Sequence, residues 1–361
     1  MKQRNYGVDL LRCVLMFFII VGHLFAHTDI RNQVTFLSGK WLFTWVVQAV
    51  TVCSVNAFVI ITGYYTSSKP YDLWKGIKLW IKVLIYSITI WIVFVLSGRV
   101  PFTVGGGGLD AFFPILRNEY WFFTTYILLY LLIPFLNATI QALSKRQLKY
   151  LVVVLICVFY IEPIFSVVFY QYDETEGFGI IAFITLYFIG AFISQCEDID
   201  KKYCIIMLFG SSSVIFLSKL ILQAIVEYKN FNFGTGILYH NNTAFVLINA
   251  VALFSLFKQL NIKPIIGKMV RWCSPSVFAV YLIHEKPIVR DLIWNPSLLE
   301  YLEACATWKY LVTVFLIPMA IFASSIIVDR AIMDKIVCAI CKTTLAKGLK
   351  EKCNRLSMIV K

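Results

Sequence analysis

An all-helical integral membrane protein is the fold class this sequence predicts, and three observations predict it. Apolar residues make up 60% of the 361 and charged residues only 15%, with a mean hydropathy of +0.77. A soluble chain of this length would carry far more charge. The apolar residues fall in blocks of roughly 18–24, each long enough to cross a hydrocarbon core of about 30 Å as a helix. Lysine and arginine are concentrated on alternate connecting segments, the pattern of a chain threaded back and forth through a bilayer.

The blocks place about ten spans, at 8–27, 43–66, 77–97, 118–137, 150–169, 179–195, 203–226, 241–257, 275–294 and 309–329. The first follows the short basic head MKQRNYG. Its apolar run is too long for a signal-peptide core and lacks a small-residue cleavage site, so it is expected to stay as a membrane helix. With Lys78, Lys82, Lys286, Arg290 and Lys309, which fall inside the spans as bounded, counted to the nearer loop, one set of alternate segments holds 23 of the 33 lysines and arginines and the other holds eight. The remaining two, Arg12 and Lys219, also lie within spans and are counted to neither set. The cationic excess predicts that both termini are cytoplasmic, and a multi-pass chain in the cell (cytoplasmic) membrane is expected. The net charge of +13 then reflects topology and attraction to anionic lipid. Nucleic acid is excluded as a partner, because the basic residues are dispersed and no recognition module is present. Residues 1–330 are expected to form one transmembrane domain, and 331–361 a basic amphipathic tail on the cytoplasmic surface.

Ten cysteines are scattered through spans and basic segments, with only Cys305 clearly in an outer loop, so no disulfide framework is expected. CAIC at Cys338 has the spacing of half a zinc site with no second pair after it, and no metal is expected. The glycine-rich VGGGGLD at 104–110 reads as a flexible outer loop; it lacks the lysine of a phosphate-binding loop.

Function is sought in the ionisable residues inside the spans, which are expensive there. Five lie deep by this count: Arg12, His23, Glu162, Lys219 and His284. Arg12 and His23 are eleven residues apart, three helical turns plus roughly 20°, so they share one face and are separated by about 16 Å along the axis. That face lines a cavity or the bundle interior. Arg12 can also pair with Asp9 or snorkel to phosphates, and His23 can simply hydrogen-bond a neighbouring helix. His23 and His27 form an i,i+4 pair, but no third metal ligand is identifiable. Glu162, before a proline in the fifth span, either neutralises a cation in the bundle or marks an early helix end. Lys219 is expected to snorkel outward, and Glu119, beside Trp121, to sit at the outer interface. Acyl transfer fits this set, with a histidine taking a proton from a hydroxyl as it attacks a thioester and an arginine holding phosphate or carbonyl oxygen. A proton-coupled transporter can use the same residues.

The ordered motifs resemble the membrane-bound acyltransferase-3 family, whose members O-acylate cell-surface polysaccharides. The most diagnostic is RCVLMFFIIVGH, an arginine, ten residues and a histidine in the first span. VNAFVIITGYY in the second span is similar to the family's Phe-rich stretch, with Thr62 where a serine is usual. YWFFTTYILLYLLIPFLN from Tyr120, YHNNTAFVLINAVALFSLFK from Tyr239 and SPSVFAVYLIHEKPIVRDLIW from Ser274 resemble the fourth-, eighth- and ninth-span signatures. The resemblance implies a transfer of an acyl group, acetyl being favoured, from cytosolic acyl-CoA to a hydroxyl of a cell-envelope glycan or its lipid-linked precursor. It implies His23 as the catalytic base and Arg12 as the residue engaging acyl-CoA, with that co-substrate used and no cofactor bound. His284 matches a family histidine without an assigned role, and His284, Glu119, Glu162 and Trp121 are candidate site-lining residues. Nothing like the soluble hydrolase-like domain of two-domain members follows the tenth span, and no serine is placed as a nucleophile, so direct attack within the membrane part is expected. The competing readings are a transporter or flippase for a glycan, which predicts repeated, interrupted helices, and a non-catalytic component of an export complex.

Overall fold

The computed structural model describes residues 4–161, 163–164, 176–229 and 234–359; among them the regular structure is entirely helical, with no strand. The first helix, α1 (Tyr6–His27), starts at an N-cap where the Asn5 side chain accepts from the Val8 backbone N–H. The second predicted span is a bent pair, α2 (Gly39–Thr51) and α3 (Ser54–Thr66), with α2 capped by the Ser38 hydroxyl. Next come α4 (Leu73–Leu96), α5 (Trp121–Ala142), α6 (Lys145–Ile156), α7 (Ile180–Ile193), α8 (Lys201–Lys229) and α9 (Ala244–Lys258). After α10 (Pro264–Cys273), the ninth predicted span is broken into α11 (Val277–His284) and α12 (Pro287–Ile293). A short α13 (Pro296–Ala304) leads to α14 (Thr307–Val328), which runs through a π turn into α15 (Asp334–Cys341); α16 (Thr344–Ile359) ends the fold.

Among the described residues, seven helical stretches are long and apolar enough to cross a bilayer: α1, α2–α3, α4, α5, α8, the stretch Ile237–Lys258 and Thr307–Cys341. The apolar α7 is shorter. In the fifth predicted span, Glu162 lies outside the described residues, as do residues 165–175. The glycine-rich segment is more ordered than its composition suggests: Val104–Gly108 forms a π turn leading into a short helix, Leu109–Phe112, packed on α4.

α1, α3, α7 and α9 form the heart of the bundle. Two glycines allow the closest approach. A Cβ on Gly63 would lie 2.2 Å from the Tyr187 carbonyl oxygen, and one on Gly190 would lie 2.3 Å from that of Ile60, so α3 and α7 meet backbone to backbone. Lipid tails offer no hydrophobic drive between helices, and small residues that permit such contact supply dispersion instead. Around this heart α4, α8 and α14 are largely uncovered and carry outward apolar side chains, among them Leu96, Phe209, Leu217, Ile221, Val312 and Leu316. That is the pattern of a lipid-facing rim. The tail also packs on the bundle. α15 and α16 pack against α4, with Cys353 and Ser357 buried and the Ser357 hydroxyl accepting from the Leu73 backbone N–H at 3.0 Å.

Candidate active site

α1 is one unbroken helix, so Arg12 and His23 share a face as expected and both line a single cavity of about 1130 Å³. It runs along α1 as far as Arg31, between α2–α3, α5 and α11, with Trp121, Phe122 and Tyr126 on its wall. Trp121 is fixed edge-on to Phe178, ring centroids 4.6 Å apart. Arg12 donates to Asp9 Oδ1 at 2.8 Å, and Asp9 also accepts from Arg4 at 2.5 Å. The guanidinium lies 5.9 Å from the Tyr65 ring centroid and remains about one-third exposed. The local pairing and the cavity-facing position are therefore both realised.

His23 sits in a cluster that the break between α11 and α12 creates. The chain reads His284, Glu285, Lys286, Pro287 at this break. Pro287 has no N–H to give and opens α12, so the helix stops and two charged side chains leave the backbone in different directions. Glu285, 4% exposed, turns to α1: its Oε1 is 2.9 Å from His23 Nδ1 and 2.9 Å from His27 Nε2. Lys286, 1% exposed, turns the other way and donates to Glu119 Oε2 at 2.5 Å and to the Ser87 hydroxyl at 2.9 Å. Glu119 is thus the partner of a buried cation on the α4–α5 side, and it does not sit free at an interface.

Acceptor-only atoms fix the tautomers. His284 Nδ1 lies 2.6 Å from the Val280 carbonyl oxygen, so that nitrogen carries the proton, and the Nε2 of the neutral ring is left as an acceptor. His23 Nδ1 is 3.0 Å from that Nε2 and beside the Glu285 carboxylate, so His23 must donate through Nδ1. The neutral His23 ring then holds its lone pair on Nε2. This is the arrangement a general base requires: one nitrogen oriented by a carboxylate, the other free to take a proton. The same three side chains, His23, His284 and Glu285, present ligand atoms within 4.8 Å of one another, as a metal site would. Tetrahedral zinc with bonds of about 2.0 Å holds its ligands about 3.3 Å apart. The separations of 2.9 and 3.0 Å fit shared protons better than a shared ion.

A second cavity of about 480 Å³ adjoins the first at the Arg12 end, with Leu79 and Tyr126 on the walls of both. Four lysines line it: Lys69, Lys75, Lys78 and Lys82. Lys75 is 3.5 Å from Asp72 and Lys82 is 3.3 Å from Asp329. Lys69 and Lys78 have no carboxylate partner among the described residues. Burial, and then the adjacent Asp72 carboxylate, raise Tyr71 in this cavity above its ordinary value, so it stays a neutral hydroxyl.

Of the residues expected from sequence, Arg12, His23 and Trp121 share the large cavity, His284 contacts His23, Glu119 belongs to the neighbouring ion pair, and Glu162 lies outside the described residues. Lys219, expected to snorkel, does not: it is buried against Trp45. Glu285 and Lys286 are not singled out from sequence although they fall inside the ninth predicted span; three consecutive titratable residues before a proline in an apolar block are the signal available.

A family model described as an acyltransferase domain matches residues 5–330. The protein is a membrane acyltransferase by class, and the chain belongs to the acyltransferase-3 family. Neither the curated proteins nor the solved structures contain a match to it.

Proposed function

We propose that the protein moves an acyl group, acetyl by preference, from acyl-CoA to a hydroxyl of a cell-surface glycan or its lipid-linked precursor. The observation that carries this reading is His23, held at Nδ1 by Glu285 and His284 while its ring lines the cavity that Arg12 also lines. With the N-terminal end toward the cytoplasm, the donor enters past Arg12. Its phosphates lie on the lysines of the adjoining cavity, since cationic ammonium groups suit phosphate. His23 Nε2 takes the hydroxyl proton as that oxygen attacks the thioester carbon. The tetrahedral intermediate expels the thiolate of coenzyme A, which recovers the proton from the imidazolium. Glu285 stabilises the transient cation on His23.

Purified protein given acetyl-CoA and a glycan acceptor should release coenzyme A, and His23→Ala should abolish the release while insertion and melting temperature hold. Full activity in that variant removes the mechanism. Arg12→Lys keeps the charge and loses the forked donor geometry, so activity should fall sharply with it. The break between α11 and α12 is a feature that transporters also use to place polar groups at mid-bundle. Movement of glycan across proteoliposomes without coenzyme A release would favour that second reading.

A further inference from the structure

The end of the cavity away from Arg12 contains a cation that the acyl-transfer chemistry does not use. Lys219 on α8 is only 6% exposed and lines the cavity. Its Nζ lies 4.0 Å from the Trp45 ring centroid and donates to Thr235 Oγ1 at 2.6 Å and to Gln223 Oε1 at 3.0 Å. These partners are neutral, and among the described residues Lys219 has no carboxylate within ion-pair distance. A buried ammonium held only by dipoles and a π face is expensive in an apolar bundle and marks a place where an anion arrives. Arg31 lines the same end and is likewise without a carboxylate partner among the described residues. Around them are cavity-lining side chains with hydrogen-bonding capacity still open: Trp45 Nε1, Gln48 Oε1 and Asn241 Oδ1 are buried without a protein partner among the described residues.

Resting on the acyl-transfer reading, we infer that this end of the cavity is the acceptor subsite, and that the acceptor is a sugar carrying an anionic group, phosphate or carboxylate, received by Lys219 with Arg31 beside it. An aromatic floor, open amide and indole groups and a desolvated cation together match such a ligand better than a neutral sugar. A phosphate would mark a lipid-linked precursor, and a carboxylate an acidic polysaccharide.

Binding of three probes to the purified full chain tests this without acyl-CoA: glucose-1-phosphate, glucuronate and methyl glucoside. Wild-type protein should bind at least one charged probe roughly tenfold more tightly than the neutral one, as charge-assisted contacts to a buried ammonium require. The charged probe preferred identifies the source of the anion. Lys219→Met should remove the preference, Lys219→Arg should keep most of it, and acetyl-CoA binding should be unchanged in both. Equal affinity for all three probes, no binding of either charged probe, or an undiminished preference in folded Lys219→Met overturns the inference. If coenzyme A release is never observed but the Lys219-dependent preference persists, the acyl-transfer reading fails and the anion site stands.

Discussion

At the scale of the residue, the site turns on one carboxylate. Glu285 Oε1 is hydrogen-bonded to His27 Nε2 and lies 2.9 Å from His23 Nδ1, and the carboxylate is buried. Glu285→Gln keeps the shape and an acceptor while removing the charge that, in the proposed mechanism, stabilises the imidazolium. Charged hydrogen bonds of this kind contribute about 1.5–3 kcal/mol, so kcat should fall by roughly 10- to 150-fold. Steady-state kinetics on the variant should show the loss in kcat with KM for the acceptor nearly unchanged; a shift in KM alone would mean that Glu285 only shapes the cavity. Arg12 and His23 are legible in the sequence, because helix geometry alone puts them on one face. Glu285 is not legible in the same way. Its role depends on a helix break that brings α11 against α1, and no local periodicity encodes that contact.

The helices themselves are the most readable feature. Apolar blocks long enough for a membrane predict α1, α2–α3, α4, α5 and α14 within a few residues. The ninth block reads as one span, because hydropathy averages over the two charged residues that end α11; their satisfaction by His23, His27 and Glu119 is a tertiary fact. Packing between elements has its own test. Gly190 on α7 faces the Ile60 carbonyl so closely that a side chain has no room. Gly190→Val should push α7 away from α3 and cost more than the roughly 1–3 kcal/mol typical of overpacking, because backbone cannot rotate aside. Thermal unfolding in detergent should show a clear loss of stability, whereas Gly22→Ala, which meets nothing within 4 Å, should leave it unchanged.

At the scale of the whole molecule, the two adjoining cavities give the bundle a direction. On the proposed reading, the lysine-lined one at the Arg12 end takes the phosphates of the donor and the Lys219 end takes the acceptor. Lys78 has no carboxylate partner among the described residues, so its charge should act on the ligand. Lys78→Glu should raise KM for acetyl-CoA by roughly fivefold, about 1 kcal/mol for one partly exposed charge, and added salt should narrow the gap from wild type. An unchanged KM would move the donor phosphates elsewhere.

The cavity's charge distribution also bears on the membrane around it. A hollow reaching from Arg12 to Arg31 along a helix would, if lined by carboxylates, invite sodium and hydronium ions to cross and short-circuit the bilayer. Here fixed positive groups stand at both ends, Arg12 at one and Arg31 with Lys219 at the other. These cations would oppose the entry of small cations, as the arginine of a water channel does, with Glu176 the carboxylate on the same wall. On the proposed reading, the groups that would receive anionic substrates would also oppose cation leakage through the hollow.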